Sequence, residues 1–358
     1  MAPPDRRRVA AGLILAGTAG LAAARFGAAP IAAAAAADSV VLAAVDVHQV
    51  VASRRLHAIV HPIALVVQGR YRDAVISGED VTRLRGDVPR SVLRRIAAFT
   101  VYDRGRRLGT ARVERVAVSP EHTLHCLPSV AGFGSLQGDQ PLDLHGAHES
   151  TLYLNARAQA VPEGPGTRAV ETRMRRLVGL SGPPRFQAFF VESQTLTVSQ
   201  HRLLVPLARR EVQAAARRSW HGVGRVALRG DVRLGPPTLV DTDRDGVVEA
   251  AGAVTAPLRR PARARFPGEP APALEVLLVA ELAARGPPVV RLSLPGLVGL
   301  GPDVAESYIL QTVLDLDGDG RGELVVLHGY YYEDARYEIY RLRGHRFIRV
   351  FTGGYQGC

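Results

Sequence analysis

A pattern of nine residues, D-x-D-x-D-G-x-x-E, occurs twice between short apolar runs. The first copy is Asp241, Asp243, Asp245, Gly246, Glu249; the second is Asp315, Asp317, Asp319, Gly320, Glu323. Four carboxylates this close repel one another unless something neutralises them. A hard divalent cation with oxygen ligands does so, and alternate positions curl three carboxylates around one ion. Calcium takes six to eight oxygens at about 2.3–2.6 Å and tolerates loose geometry. The glycine supplies the left-handed backbone that turns the chain. A main-chain carbonyl two residues after the third aspartate, on Val247 or Arg321, adds a ligand, and Glu249 or Glu323 closes the shell from the start of the next strand. Magnesium demands stricter geometry and zinc prefers His or Cys, so the expected cofactor is Ca2+. The spacing disfavours an EF-hand: its glutamate stands at loop position 12 between helices, not at position 9 between strands. The competing reading is a pair of solvated Asp/Gly turns. Arg244 opposes a cation in the first loop. The sequence therefore predicts that Asp317→Ala removes more of a calcium response than Asp243→Ala.

Around these loops the chain reads as β-structure. "RFQAFFVES" (185–193) followed by "HRLLVPL" (201–207) is similar to "ALEVLLVAE" (273–281) followed by "VRLSLPGL" (290–297), and each pair leads to an acidic loop. The loops themselves are offset by 74 residues. Repetition of a β unit around one loop type is the mark of an array or propeller-like architecture. After the second loop, "ELVVLHGYYYEDARYEIYRLRGHRFIRVF" reads as three successive strands. In the first half, "FTVYDRGRRLGTARVERV" reads as a hairpin turning at Asp103–Arg106, and "LHAIVHPIALVVQG" and "STLYLNARAQAV" as further strands. One helix is expected, over Ala208–Trp220. Residues 259–273 read as a Pro/Ala/Arg linker, and "PEGPG" at 162–166 as a domain boundary.

At the two loops the chain resembles bacterial FG-GAP/VCBS-type repeat proteins, exported calcium-loop repeats related in pattern to integrin α-subunit propellers. The resemblance covers about residues 186–352. It implies that the eight carboxylates of the loops are calcium ligands. Two motifs are too few for a seven-bladed ring, and FG and GAP elements do not flank them. The expected fold class is mainly β: propeller-like blades in an incomplete β-repeat at 181–358, with an additional N-terminal β-rich domain at 38–180.

Residues 1–37 have the layout of a secretory signal peptide: Arg6, Arg7 and Arg8, an apolar run from Val9 to Ala24, then small residues up to Ala37. An extracytoplasmic location follows, periplasmic or secreted, with an uncleaved anchor at 9–24 as the alternative. The chain of 358 residues has a formal net charge of +11, and all 45 of its basic residues are arginine. The absence of lysine fits codon bias in a GC-rich genome, so the charge by itself is weak evidence for nucleic acid. Cys126 and Cys358 either pair or remain separate thiols.

Other constellations are weaker. His122, His125 and Cys126, with His145, His148 and Glu149, lack zinc-site spacing. "LRGDV" at 84–88 and 228–232 reads as an ordinary turn. Late tyrosines (Tyr330, Tyr331, Tyr332, Tyr337, Tyr340) either pack across strands or form a sugar-stacking row. The sequence thus points to an exported calcium-loop binding or scaffold module rather than an enzyme. The alternative is a secreted hydrolase or carbohydrate-binding protein. Polysaccharide or another exported protein is a compatible partner; nucleic acid is disfavoured, and membrane contact is expected only with an uncleaved leader.

Overall fold

The computed structural model describes residues 39–74, 96–103, 106–119, 129–138, 148–154, 168–181, 196–259, 271–283, 286–300, 306–330 and 334–357. The leader, His122, His125, Cys126, His145, "PEGPG", the segment 185–193, most of the 259–273 linker, the first "LRGDV", Tyr331, Tyr332 and Cys358 lie outside the described residues.

The first eight strands are β1 (Ser39–Val50), β2 (Leu56–Val67), β3 (Arg70–Asp73), β4 (Ala98–Asp103), β5 (Arg106–Ser119), β6 (Ser129–Gly138), β7 (His148–Leu154) and β8 (Arg168–Ser181). Six of them close into an antiparallel barrel in the order β1-β2-β6-β5-β4-β8, with β8 pairing back to β1. Strand β3 adds to β2 and β7 to β8. The predicted hairpin is there, with Asp103 opposite Arg106 at its turn. Closure removes free sheet edges, and small residues line the interior: Ala43, Ala58 and Ala111 sit beside Val41, Val45, Val60, Phe99 and Leu177.

Among the described residues a helix and nine strands follow: α1 (Val198–Ala216), β9 (Arg233–Leu234), β10 (Thr238–Val240), β11 (Val248–Pro257), β12 (Ala273–Leu282), β13 (Val289–Val298), β14 (Glu306–Leu314), β15 (Glu323–Tyr330), β16 (Asp334–Arg343) and β17 (Arg346–Gly357). Strands β10 to β13 form one antiparallel meander, with β9 added to β11, and β14 to β17 form a second. Side-chain alternation stacks them in layers. Even-numbered residues of β12 (Leu274, Val276, Leu278, Ala280) face α1, while Leu277 and Val279 face the second meander. In β16, Tyr340 and Leu342 face the first meander, while Tyr337 and Ile339 face the barrel. In β1, Leu42 and Ala44 meet that second meander while Val41, Ala43 and Val45 fill the barrel. Strands buried on both faces need nearly continuous apolar runs, which is why β1 and β12 read as such.

The barrel wall that faces the second meander also holds a buried ion pair. Asp46 and Arg176 stand directly opposite on β1 and β8. Arg176 Nε and Nη2 donate to the two carboxylate oxygens at 2.6 and 2.8 Å. Burial opposes the charge on Asp46, but Arg176 outweighs it and holds the carboxyl well below the usual carboxylate range.

Two expectations are corrected. Helix α1 begins ten residues earlier than predicted and ends before Trp220. Its start is a capping box: Gln200 N–H donates to Thr197 Oγ1 at 3.2 Å, and Thr197 N–H to Gln200 Oε1 at 2.9 Å. "HRLLVPL" is therefore helical and does not match the strand "VRLSLPGL"; Leu204, Leu207, Ala208, Val212 and Ala215 follow a helical period into the core. Pro206 lies on the exposed face, where water can serve the carbonyl that it leaves without an amide donor. Of the two readings of the late tyrosines, Tyr337 and Tyr340 follow the packing one: they lie buried in different cores on opposite faces of β16 and form no common stacking row.

The sequence repeat takes a different frame in the structure. Each meander opens with a strand, the acidic loop and a second strand; two further strands complete it. Val240 pairs with Glu249 across the first loop, and Leu314 with Glu323 across the second.

Candidate metal centres

Both acidic loops fold by the same local rules. The final glutamate is buried and turns back into the loop: Thr242 N–H donates to Glu249 Oε2 at 2.9 Å, and Leu316 N–H to Glu323 Oε2 at 2.8 Å. The first aspartate accepts from the glycine, Gly246 N–H to Asp241 Oδ2 at 3.1 Å and Gly320 N–H to Asp315 Oδ2 at 2.9 Å. The third caps the turn, Val247 N–H to Asp245 Oδ1 at 2.7 Å and Arg321 N–H to Asp319 Oδ1 at 2.9 Å. Gly246 and Gly320 have φ of 83° and 85°, so glycine is required at this position for unstrained turning.

Carboxylates converge in each loop, but not the same ones. Asp241, Asp243 and Asp245 offer oxygens within 4.8 Å of one another in the first; Asp315, Asp317 and Glu323 do so in the second. Glu249 and Asp319 stand outside these trios. In the first loop Asp241 Oδ1 and Asp243 Oδ1 are shielded from solvent and have no hydrogen-bond partner. In the second, Gly318 N–H donates to Asp315 Oδ1 at 2.7 Å. The fourth loop position differs as well. It is Gly318, with φ 80°, in the second loop and Arg244, with φ 58°, in the first. Left-handed backbone on a non-glycine residue costs about 1–2 kcal/mol.

An arginine absent from the sequence reading enters the second loop. Arg341, on β16, pairs with Asp317 and donates from Nε to Glu323 Oε1 at 2.9 Å. Its Nη2 also donates to Tyr71 Oη on β3 at 3.2 Å. No local signal marks it, because it lies 18 residues beyond Glu323 and arrives through strand pairing. Arg291, on β13, pairs with Glu281 near the first loop. Burial pushes Glu323 up to about 8, and Arg341 opposes this without cancelling it. Burial likewise pushes Glu249 up to about 7. Asp243 is raised by burial and by neighbouring Asp245 and Asp241.

The loops are neighbours. Gly322 N–H donates to the Thr242 carbonyl at 2.7 Å. On its other side the second loop meets the β2–β3 turn of the barrel: a Cβ added at Gly69 would stand 3.3 Å from Asp317 Cβ. The second loop thus lies between the first loop and the barrel.

A second polar cluster, also unforeseen, lies on the opposite face of the second meander. His328 is buried, with Nδ1 3.1 Å from Glu338 Oε1 and Nε2 2.8 Å from Glu306 Oε1. A carboxylate faces each ring nitrogen, and Arg336 Nε also lies 3.2 Å from Nδ1. The Tyr308 ring stacks on it at 4.2 Å between centroids. Arg349 Nη1 donates to Glu338 at 2.8 Å. Burial opposes the charge on Glu338, but hydrogen bonds from His328 and Tyr340 and the Arg349 charge outweigh it and pull the carboxyl down to about 2. Every polar atom of the His328 ring is engaged, so the cluster reads as a structural ion network.

Comparison with family models, with curated proteins and with solved structures finds no match to this chain. Among the described residues no helix is long and apolar enough to cross a membrane.

Proposed function

We propose that the protein is an extracytoplasmic binding or scaffold module whose two meanders are calcium-loop repeats, with calcium held first by the loop between β10 and β11. The observation that carries this reading is the pair of solvent-shielded, unpartnered oxygens on Asp241 and Asp243, converging with Asp245. An oxygen-only donor set of this charge suits a hard cation such as calcium. Asp241, Asp243 and Asp245 would hold the ion, with the Val247 carbonyl and Glu249 as further oxygens from the same loop.

The second loop fits a cation less directly, because Arg341 already neutralises Asp317 and Glu323. Asp315, Asp317, Asp319, the Arg321 carbonyl and Glu323 form a calcium site only after that guanidinium withdraws. The expected ranking of the loops therefore reverses from the one based on Arg244 alone. In both loops the metal supplies charge neutralisation and a fixed hairpin end, which couples binding to folding. Two four-stranded meanders, each with its acidic loop between the first and second strands, support a repeat of propeller-blade type without a closed ring.

Calorimetry with calcium and with chelator tests the proposal. Extracellular calcium modules have dissociation constants of about 10⁻⁴–10⁻³ M. Calcium at ten to a hundred times that level stabilises by roughly 1–3 kcal/mol. A melting temperature that rises by a few degrees and falls again with chelator supports the reading. An unchanged melting curve at 10-fold higher calcium sinks it.

A further inference from the structure

The outermost layer, α1 and the strap that follows it, carries a concentrated positive charge that the calcium reading does not use. Between 202 and 233 the chain has eight arginines and two acidic residues. Arginine is about twice as dense here as in the chain as a whole, so the genome-wide bias seen in the sequence does not account for it. The strap's even residues Val226, Leu228, Val232 and Leu234 pack into the same core as α1, which turns its odd residues outward beside the helix. An ion pair from Arg209 to Asp231, at 3.8 Å, joins helix and strap directly. Arg210 pairs with its neighbour Glu211 at 3.7 Å. Arg202, Arg217, Arg218, Arg225, Arg229 and Arg233 are exposed and have no acidic partner among the described residues.

Exposed aliphatic side chains are set among these arginines. Val198 is 68% exposed and Leu203 47% exposed on α1, and Val223 is 37% exposed in the turn that follows Trp220. That turn is closed by Trp220 N–H donating to the Gly224 carbonyl at 2.9 Å, and the exposed Val223 lies in it, between Arg218 and Arg225 in the sequence. A linear polyanion satisfies the guanidiniums but gives nothing to aliphatic groups. An anionic bilayer serves both: headgroup phosphates meet the arginines and the acyl boundary takes the valines and leucine.

We infer that the basic outer layer formed by α1 and residues 217–233 is a docking surface for anionic phospholipid membranes. Contact is peripheral: the helix lies along the surface with its arginines at headgroup level, and the folded layers beneath are unchanged. The inference is independent of calcium, so its test is run in chelator.

The test is co-sedimentation of the full chain with phosphatidylglycerol-containing vesicles and with phosphatidylcholine vesicles. Binding to the first and not the second is expected. Arg217→Gln, Arg218→Gln and Arg225→Gln together should lower the partition coefficient roughly a hundredfold, about fivefold for each arginine. Leu203→Ser with Val223→Ser should weaken vesicle binding and leave retention on heparin unchanged. All five side chains are exposed, and circular dichroism verifies that the variants remain folded. Equal sedimentation with both vesicle types overturns the inference. So does vesicle binding that ignores the Leu203/Val223 change and tracks heparin retention, because the face then recognises a linear polyanion instead.

Discussion

The loop between β10 and β11 and the loop between β14 and β15 share a sequence pattern and three backbone-to-carboxylate hydrogen bonds, yet their charges are balanced differently. The second lies between its twin and the barrel, and Arg341 bridges two of its carboxylates. The first keeps two carboxylate oxygens shielded and unpartnered. A local motif therefore fixes a loop's backbone but not its counter-ion. The counter-ion depends on what the third strand brings across, and at Arg341 that strand supplies a guanidinium.

The contrast extends to the sheets. By the 74-residue offset, Val254 stands in the first meander where His328 stands in the second. The first has an apolar position there, while the second has a buried ion network.

Removing the guanidinium tests the comparison most severely. Arg341→Met strands Glu323 and Asp317, and breaking a buried pair in this way costs about 3–5 kcal/mol. The melting temperature in chelator should fall accordingly, and calcium should restore part of it, because the second loop then resembles the first. A variant as stable as the parent, or one indifferent to calcium, breaks the contrast.

The network on the second meander gives the next largest effect. Glu338→Gln should cost on the order of 3 kcal/mol, read from denaturant unfolding at pH 6. The pH dependence follows from two opposite shifts. Glu338 lies below its ordinary value of 4.5, so its contribution is present above pH 4.5 and is lost as the pH falls toward about 2. His328 is raised above 6.5 by Glu306 and Glu338, against the effect of burial. Its contribution is full below pH 6.5 and declines as the pH rises through the folded value. Stability lost by Glu338→Gln should therefore be greatest between about pH 4.5 and 6.5. A loss that is flat across pH would detach the cluster from ionisation.

Two smaller effects sharpen the loop comparison. Asp243→Ala should remove most of the calcium-induced rise in melting temperature, roughly 1–3 kcal/mol in stabilisation at saturating metal. Asp317→Ala should remove less, and equal losses would make the two loops equivalent. Arg244→Gly relieves left-handed backbone and should stabilise the metal-free chain by about 1 kcal/mol, net of the entropy that glycine adds to the unfolded state. It also withdraws an opposing charge, so calcium affinity should rise in isothermal titration.

Much of the secondary structure was legible from pattern. The hairpin β4–β5 followed from alternation around a polar turn, and β15 to β17 from three apolar runs with turn residues between them. The helix start is masked in the sequence because Pro206 and "HRLLVPL" mimic a strand locally, while its signal, the Thr197/Gln200 capping box, stands upstream of them. The barrel was not legible: closure depends on β8 returning to β1, more than a hundred residues earlier. The late tyrosines looked alike in sequence, yet Tyr337 and Tyr340 point into different cores because side chains alternate along β16.

The sequence by itself determined the acidic turns. Aspartate spacing, glycine at a left-handed position and a glutamate entering the next strand are short-range requirements, satisfied within nine residues. Tertiary structure decided what those turns face. Arg341, Tyr71 and Gly69 reach the second loop only through strand pairing and layer packing, so their effect on its charge cannot be read from neighbouring letters. The basic outer face has the same origin: its arginines are visible in the sequence, but their common direction exists only because the helix and strap bury their opposite sides in one core.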